Sequence, residues 1–231
     1  MTKYSALIIA RAGSKRIKNK NFINFCGKHM YHWTIENVIK SKLFNKIYFS
    51  SDKKNVNLSK YKNVEYIRRS KKNSLSNATT YDVTLEFLNK HRKSNQKYIL
   101  IAYGCAPLIN FSDLKKGLGI IKSKNYDTVF PISKIDTPLE KNLIKFENKI
   151  KPLFKKKFNK NSQDLTSVYR DAGQWYWIKI SEVLKKKKVI TENSGYLELS
   201  DIRVQDINYP EDLRLAKLKF NEIRNSNFSR R

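Results

Sequence analysis

"YSALIIARAGSKRIKNKN", residues 4–21, decides how the rest of this chain is read. Its first part, residues 4–10, is an apolar run of the length of one buried strand, stopped at once by a polar, glycine-containing loop. Around Gly13 that loop carries Arg11, Lys15, Arg16, Lys18 and Lys20. Open parallel sheets bind their ligands beyond the carboxyl ends of the strands, so a basic loop placed there suits an anion. Charge alone leaves a polyphosphate, a nucleic acid backbone and an unspecialised surface loop open. The loop has neither the G-x-x-x-x-G-K-[ST] phosphate-loop spacing nor the G-x-G-x-x-G dinucleotide spacing.

The strand-then-helix rhythm continues outward from this stretch. Residues 30–41 place Met30, Trp33, Ile35, Val38 and Ile39 at helical spacing, and residues 46–50 and 64–67 read as strands. A helix over 79–92 turns Val83, Leu85, Phe87 and Leu88 inward, and residues 98–102 are the most apolar strand. Ser112 reads as the cap of a further helix, and 127–132 as a strand. This alternation predicts an α/β fold, a Rossmann-like, mostly parallel sheet with helices on both faces.

After residue 133 the rhythm changes. A hairpin over 143–154 turns near Asn148, residues 155–170 are polar and irregular, and "GQWYWIKI" (173–180) reads as a strand followed by a short helix. "IRVQDI" (202–207) reads as the last strand, and Pro210-Glu211-Asp212 opens the final helix, with proline in its first turn and acids at its positive end. With no internal repeat and no clear linker, residues 1–231 read as one domain and 134–170 as a small β-rich arm inserted in it.

The formal net charge is +28. It comes in short lysine runs such as 155–157 and 185–188, without the aromatic interleaving of an RNA-binding face, and reads as a lysine and asparagine bias. No nucleic acid partner is expected. No apolar run is long enough to span a bilayer, and "MTKYSALIIARAG" does not read as a signal peptide. Cys26 and Cys105 form neither a disulfide framework nor a metal spacing, which fits a cytoplasmic protein, and Cys105 reads as a small buried side chain. His29, His32 and His91 form no recognisable cluster.

The predicted strand ends gather the 11–21 loop, Ser51-Asp52, Arg68-Arg69, residues 103–107, and Asp206 with Asn208. Many cations with at least one carboxylate suit a polyphosphate and Mg²⁺, which commonly takes one or two protein carboxylates and completes its shell with water and phosphate oxygens.

Taken in order, these pieces resemble the sugar-activating cytidylyltransferases. "IARAGSKRIKNKNFINFCGKHM" is similar to that family's A-R-x-G-S-K-R-[IL]-x-x-K-N loop, matched by Arg11, Gly13, Ser14, Lys15, Arg16, Lys20 and Asn21, with Gly27-Lys28 following. Ser50-Ser51-Asp52 resembles its S-T-D, Arg69 with "SLSNATTYDV" its R-P-x-x-L-[SA]-x-D-x-[TS]-[PS], and "YGCAPL" (103–108) its [QY]-P-T-[SA]-P-[LF]. "NSQDLTSVYRDAGQWYW" (161–177) and "IRVQDINYPED" (202–212) resemble the branch acting on pseudaminic acid. The chain departs from the pattern at Asn208, where the family has a second metal-binding aspartate, and at Gly104-Cys105, where it has P-T. Asn77, Ser70 and Arg170 replace an acid, a proline and a histidine.

The resemblance implies a CTP-dependent nucleotidyltransferase that moves CMP to the anomeric hydroxyl of a nine-carbon 2-keto sugar acid, with Mg²⁺ as cofactor and pyrophosphate released. Sialic, legionaminic or eight-carbon sugar acids, or a weakened nucleotide-binding relative, are the alternatives. It implies catalytic roles for Arg11, Lys15, Lys20 and Asp206, and metal ligation by Asp206 and Asn208. Nucleotide binding falls to Ala10, Arg11, Gly13, Ser14, Lys15, Arg16, Lys20, Asn21, Asp52, Arg69, Tyr103 and Ala106. Sugar binding falls to Gln163, Arg170, Asp171, Gln174 and Tyr176. A homodimer is implied, with the 134–170 arm reaching toward the neighbouring subunit.

Overall fold

The computed structural model describes residues 4–92 and 96–228; residues 1–3, the start of the stretch read above as lacking a signal peptide, lie outside it. In chain order the elements are β1 (Tyr4–Ile9), β2 (Asn24–Phe25), β3 (Lys28–His29), α1 (Met30–Lys40), β4 (Phe44–Ser51) and β5 (Val64–Arg68). They continue with α2 (Thr80–His91), β6 (Tyr98–Tyr103), α3 (Phe111–Ser123), β7 (Thr128–Lys134), β8 (Leu143–Phe146) and β9 (Lys149–Pro152). The last are β10 (Tyr169–Asp171), β11 (Trp175–Lys179), α4 (Ile180–Lys186), β12 (Ser194–Glu198) and α5 (Pro210–Phe228).

β5, β4, β1 and β6 lie side by side and parallel. β11 then runs antiparallel between β6 and β7, and β12 closes the far edge parallel to β7. β10 continues the antiparallel run along the end of β7. Register brings the strand ends level, since Ile9 stands opposite both Ser50 and Tyr103, and Ser51 opposite Arg68. Everything that follows β1, β4, β5 and β6 therefore opens on one rim.

Alternation along β1 sorts the core into two layers. Ala6, Ile8 and Ala10 pack with Ile35 and Val38 of α1, Leu114 and Ile121 of α3, and both Trp175 and Trp177. Leu7 and Ile9 face the other way, onto Val83, Phe87 and Leu88 of α2 and Val183 of α4. This is the two-faced parallel-dominated sheet that the rhythm predicts.

Two local readings are corrected. Ser112 does not cap α3; Asn110 does, its side chain accepting from the Ser112 N–H (2.9 Å), so the helix begins one residue before Ser112. "IRVQDI" forms no strand. β12, which polar spacing hides, takes the edge of β7 instead. The chain after it turns through a short 3-10 segment, Asp201–Arg203, and runs on without a ladder. Side chains satisfy its backbone: Lys219 donates to the Asp201 and Val204 carbonyls, and Gln174 to that of Arg203. The hairpin of the arm does form, with Glu147 in the left-handed region at its turn.

Near the loop side of α1, His32 Nδ1 pairs with the Tyr61 hydroxyl (2.8 Å). Burial, aided by Lys60, pushes its pKa down from 6.5 to about 4. The unfolded chain then binds this proton more readily, so the stabilisation is whole above pH 6.5 and is lost as pH falls toward 4. His32→Gln is expected to flatten the dependence of the denaturation midpoint on pH across that window. Identical slopes in the two chains would refute it.

Candidate functional site

The loop after β1 is fastened before it reaches any ligand. The Ala12 N–H donates to Asp52 Oδ1 (2.7 Å), and Asn21 Nδ2 donates back to the Arg11 carbonyl (2.7 Å). Asp52, read as a nucleotide contact, is thus a brace for the loop backbone. Ala10 is fully buried beneath the loop, its N–H on the Ser50 carbonyl.

Gly104 is not slack. A Cβ there would lie 2.8 Å from Ala10 Cβ and 2.9 Å from Asn21 Oδ1, so only glycine lets the turn after β6 press against the loop. At this departure from the family's P-T, the glycine serves a close approach of two backbones. Ala106 continues this turn into the core, its carbonyl facing Thr34 Oγ1 (3.4 Å).

A first cleft is lined by Arg11, Lys20, Asn21, Arg69, Asn73, Leu75, Thr79, Thr80, Tyr103 and Cys105. Arg69 is buried, holds Ser50 through its Nε and a terminal nitrogen, and burial pushes its pKa down to about 10 despite Asp52 nearby. No carboxylate is bonded to it among the described residues. A desolvated guanidinium of this kind favours an incoming anion. Arg11 donates to the Leu75 carbonyl (2.7 Å), closing the cleft over the turn before α2.

Thr79 and Thr80 were not singled out from sequence. They sit at the start of α2, where Thr79 and Asp82 form a reciprocal capping box, and Thr80 Oγ1 pairs with the Tyr103 hydroxyl (2.7 Å). The T-x-x-D spacing at 79–82 is the signal that marks this helix start, whose positive end faces the cleft.

A second cleft adjoins the first. Lys20, Tyr103, Cys105, Asp171, Gly173, Tyr176 and Asp206 line it, so Lys20, Tyr103 and Cys105 belong to both. Asp171 takes a hydrogen bond from the Tyr176 hydroxyl and another from the Gly173 N–H (2.8 Å). Burial, reinforced by Asp206, raises its pKa, although these hydrogen bonds pull the other way. Burial likewise raises the Tyr103 and Tyr176 hydroxyls and the Cys105 thiol, so none is an activated nucleophile.

The late segment is tied to the early loop directly. Lys20 Nζ donates to the Ile207 carbonyl, and Arg16 donates to Asn208 Oδ1 (2.6 Å). The reason is α5: Phe220 packs on Phe25 (5.3 Å between rings) and Trp33 (4.6 Å), drawing the segment before it across the β2–β3 turn. The basic loop and Asp206 therefore stand around the same pair of clefts.

Other predicted residues lie elsewhere. Gly13, Lys15 and Arg16 are exposed, and with Ser14 they line neither cleft. Gln163 stands exposed on the arm. Arg170 is spent on Asp201 (2.5 Å) and Ser133 (3.2 Å), because β10 carries it onto the far end of β7. Gln174 is buried with its amide on the Arg203 carbonyl. A separate cavity of about 370 Å³ behind Phe22, lined by His29, Tyr31, His32, Lys53 and Lys60, holds none of the predicted site residues.

The donor set fits a hard divalent cation. Asp206 keeps its Oδ1 without a hydrogen-bond partner among the described residues, and Asp171 lies in the same cleft. The Asn208 carbonyl accepts from Arg16, and its Nδ2 donates to Asp206 Oδ2 (2.5 Å).

Comparison with known proteins follows the same line. A relative from Helicobacter pylori, "Pseudaminic acid cytidylyltransferase and UDP-2,4-diacetamido-2,4,6-trideoxy-beta-L-altropyranose hydrolase", is 33% identical over 92% of this chain. The chain spans only 41% of that longer protein. The pseudaminic acid cytidylyltransferase of Campylobacter jejuni, serotype O:2, is 30% identical, over 94% of this chain and 96% of its own. Among solved structures, a CMP:2-keto-3-deoxy-manno-octonic acid synthetase complexed with CTP superposes with a TM-score of 0.70 at 13% identity, covering 96% of this chain and 99% of that one, which shows the fold. No described helix is long and apolar enough to cross a membrane. The model of the family described as Cytidylyltransferase matches residues 5–229, and the chain belongs to that family.

Proposed function

We propose that this chain transfers CMP from CTP to the anomeric hydroxyl of a nine-carbon 2-keto sugar acid, pseudaminic acid first among them, with release of pyrophosphate. One observation carries the reading: two adjoining clefts share Lys20, Tyr103 and Cys105, one rimmed by cations and the other by two carboxylates. A triphosphate laid in the first has its reacting end at the shared wall, beside the second.

Phosphoryl chemistry asks the protein mainly for positioning and charge stabilisation. Arg11 and Arg69 grip phosphate or ribose oxygens in the first cleft, and Lys20 meets the charge that develops at the wall. The first turn of α2 adds its dipole and the Thr80 hydroxyl. Asp171 and Tyr176 face the acceptor sugar, with the hydroxyl oriented by the carboxylate. Asp206 would hold the Mg²⁺ ion, which supplies charge neutralisation at the phosphates when bound.

Support for pseudaminic acid comes from relatives named for it that match more than nine-tenths of this chain. The decisive experiment is pyrophosphate release from CTP and Mg²⁺ with a panel of pseudaminic, legionaminic, sialic and eight-carbon sugar acids. Preference for another acid would move the substrate, and no release with any would remove the activity.

A homodimer belongs to the same proposal. The β8–β9 hairpin exposes Leu143, Ile144, Phe146 and Ile150, and Leu153 and Phe154 follow it. Leu143 and Ile150 lie on one face of the hairpin and Ile144 and Phe146 on the other, so both faces leave large apolar side chains that a partner surface would cover. Replacing Phe146 and Ile150 together by Asp is expected to convert a dimer into monomers in sedimentation experiments. A parent chain that sediments as a monomer at all concentrations would end the dimer reading.

A further inference from the structure

We infer that Asp171, facing Asp206 across Gly173, supplies the second carboxylate of the divalent-cation site, and that Asn208 is a positioning residue and not a ligand. The inference rests on the nucleotidyl-transfer reading of the two clefts.

Three observations converge. First, both ends of the Asn208 amide are used. A guanidinium only donates and a carboxylate only accepts, so the amide oxygen must face Arg16 (2.6 Å) and the amide nitrogen Asp206 Oδ2 (2.5 Å). The amide oxygen is thus turned toward a guanidinium, whose positive charge repels a metal ion at the same atom, and Asn208 does not line the second cleft. What the amide does is join the basic loop to Asp206 and turn that carboxylate so that Oδ1 stays open.

Second, Asp171 and Asp206 line the same cleft around one bare glycine. Gly173 has φ +61, and a Cβ on it would lie 4.0 Å from Asp206 Oδ1, while its N–H holds Asp171 Oδ1 (2.8 Å). This glycine sits in a bulge. β11 pairs Trp177 with Val129, yet β10 pairs Asp171 with Ile132, so the bent strand takes extra residues between them. Bulges of this kind re-aim side chains near functional sites, and here the bulge sets Asp171 beside the late segment.

Third, the charge is anomalous. In a chain of formal net charge +28, two carboxylates share a cleft, and neither makes an ion pair among the described residues. Lys20, the cation of that cleft, gives a hydrogen bond to the Ile207 carbonyl. Like charges held together with cations so abundant point to a cation that is not a side chain. Each Asp171 oxygen accepts one hydrogen bond and keeps a further lone pair for it.

Two measurements on the full chain test this. Mn²⁺ binding is followed by loss of the free-ion electron paramagnetic resonance signal, with and without CTP. Asp171→Asn is expected to weaken binding by at least about tenfold, the lower end of what losing even a ligand's hydrogen-bonding partner costs. Asn208→Asp is expected to bind no more tightly than the parent chain. Parent-like affinity in the first variant, or tighter binding in the second, overturns the assignment.

Direct ligation is read with a softer ion, because thiolates select soft metals. With Cd²⁺, Asp171→Cys is expected to gain a thiolate-to-metal charge-transfer band above any given by the native cysteines, and Asn208→Cys to gain none. A new band in both variants, in neither, or in Asn208→Cys alone overturns it. Pyrophosphate release is scored separately. The expected pattern of bands together with no CTP turnover by the parent chain sinks the transfer reading and keeps the site. Turnover together with the wrong pattern of bands does the reverse.

Discussion

Lys20→Met is expected to lower kcat/KM for CTP by about a hundred- to a thousandfold, the scale of removing one preorganised donor from a transition state. Lys20 is the cation common to the two clefts, standing with Tyr103 and Cys105 at the wall between them. Its Nζ is already placed by the Ile207 carbonyl, so little reorganisation is needed when negative charge grows nearby. Arg11 and Arg69 line the first cleft and not the second, so the proposed function gives them the nucleotide before and during reaction. Loss of Lys20 is therefore expected mainly in kcat, with CTP affinity falling less. Steady-state pyrophosphate release and equilibrium CTP binding separate the two. A Lys20→Met chain within tenfold of the parent in kcat/KM would show that the shared wall is not where the reaction occurs.

Trp177→Ala is expected to destabilise the fold by about 3 to 5 kcal/mol, the usual cost of truncating a buried tryptophan. Trp177 is fully buried in the strand that joins the two halves of the sheet. Its ring stacks on Phe44 (5.6 Å) and meets Tyr4 edge-on (5.5 Å), and its Nε1 donates to the Leu114 carbonyl (2.9 Å). Truncation leaves a cavity under α3 and removes the indole's hydrogen bond to that carbonyl. Denaturant unfolding checks the magnitude. A loss under 1 kcal/mol would mean that α3 collapses onto the gap and that the ring is not a keystone of this layer. The Cys26 and His32 regions, on α1 and its entry, are expected to be unaffected.

Much of the candidate site, as the clefts outline it, was legible in residue type and order. Arg11, Lys20 and Asn21 lie in the loop after the first strand, Arg69 follows β5 and Tyr103 ends β6, so a parallel sheet brings these segments to one rim. The rest depended on partners far away in sequence. Asp52 looks like a ligand residue in a string of letters, but a backbone N–H forty positions earlier claims its carboxylate. Arg170 looks equally free until Asp201 is found beside it. Gln174 alternates with Tyr176 as a surface-facing residue should, yet the bulge beside it turns its amide to the Arg203 carbonyl. Thr79 and Thr80 were missed because small hydroxyl residues before a helix read first as capping groups, which Thr79 also is.

Sequence by itself determined the α/β class, the order of most strands and helices, and the chemical character of the loop after β1. These are local properties: apolar periodicity, capping and turn residues act over a few positions, and a run of cations is visible without a fold. Only the tertiary structure decided which charges meet. That Asn208 answers to Arg16 and that Asp171 faces Asp206 follow from the bulge before β11 and from α5 docking on Phe25 and Trp33. Electrostatic partners are chosen by distance in space, and long-range packing sets that distance.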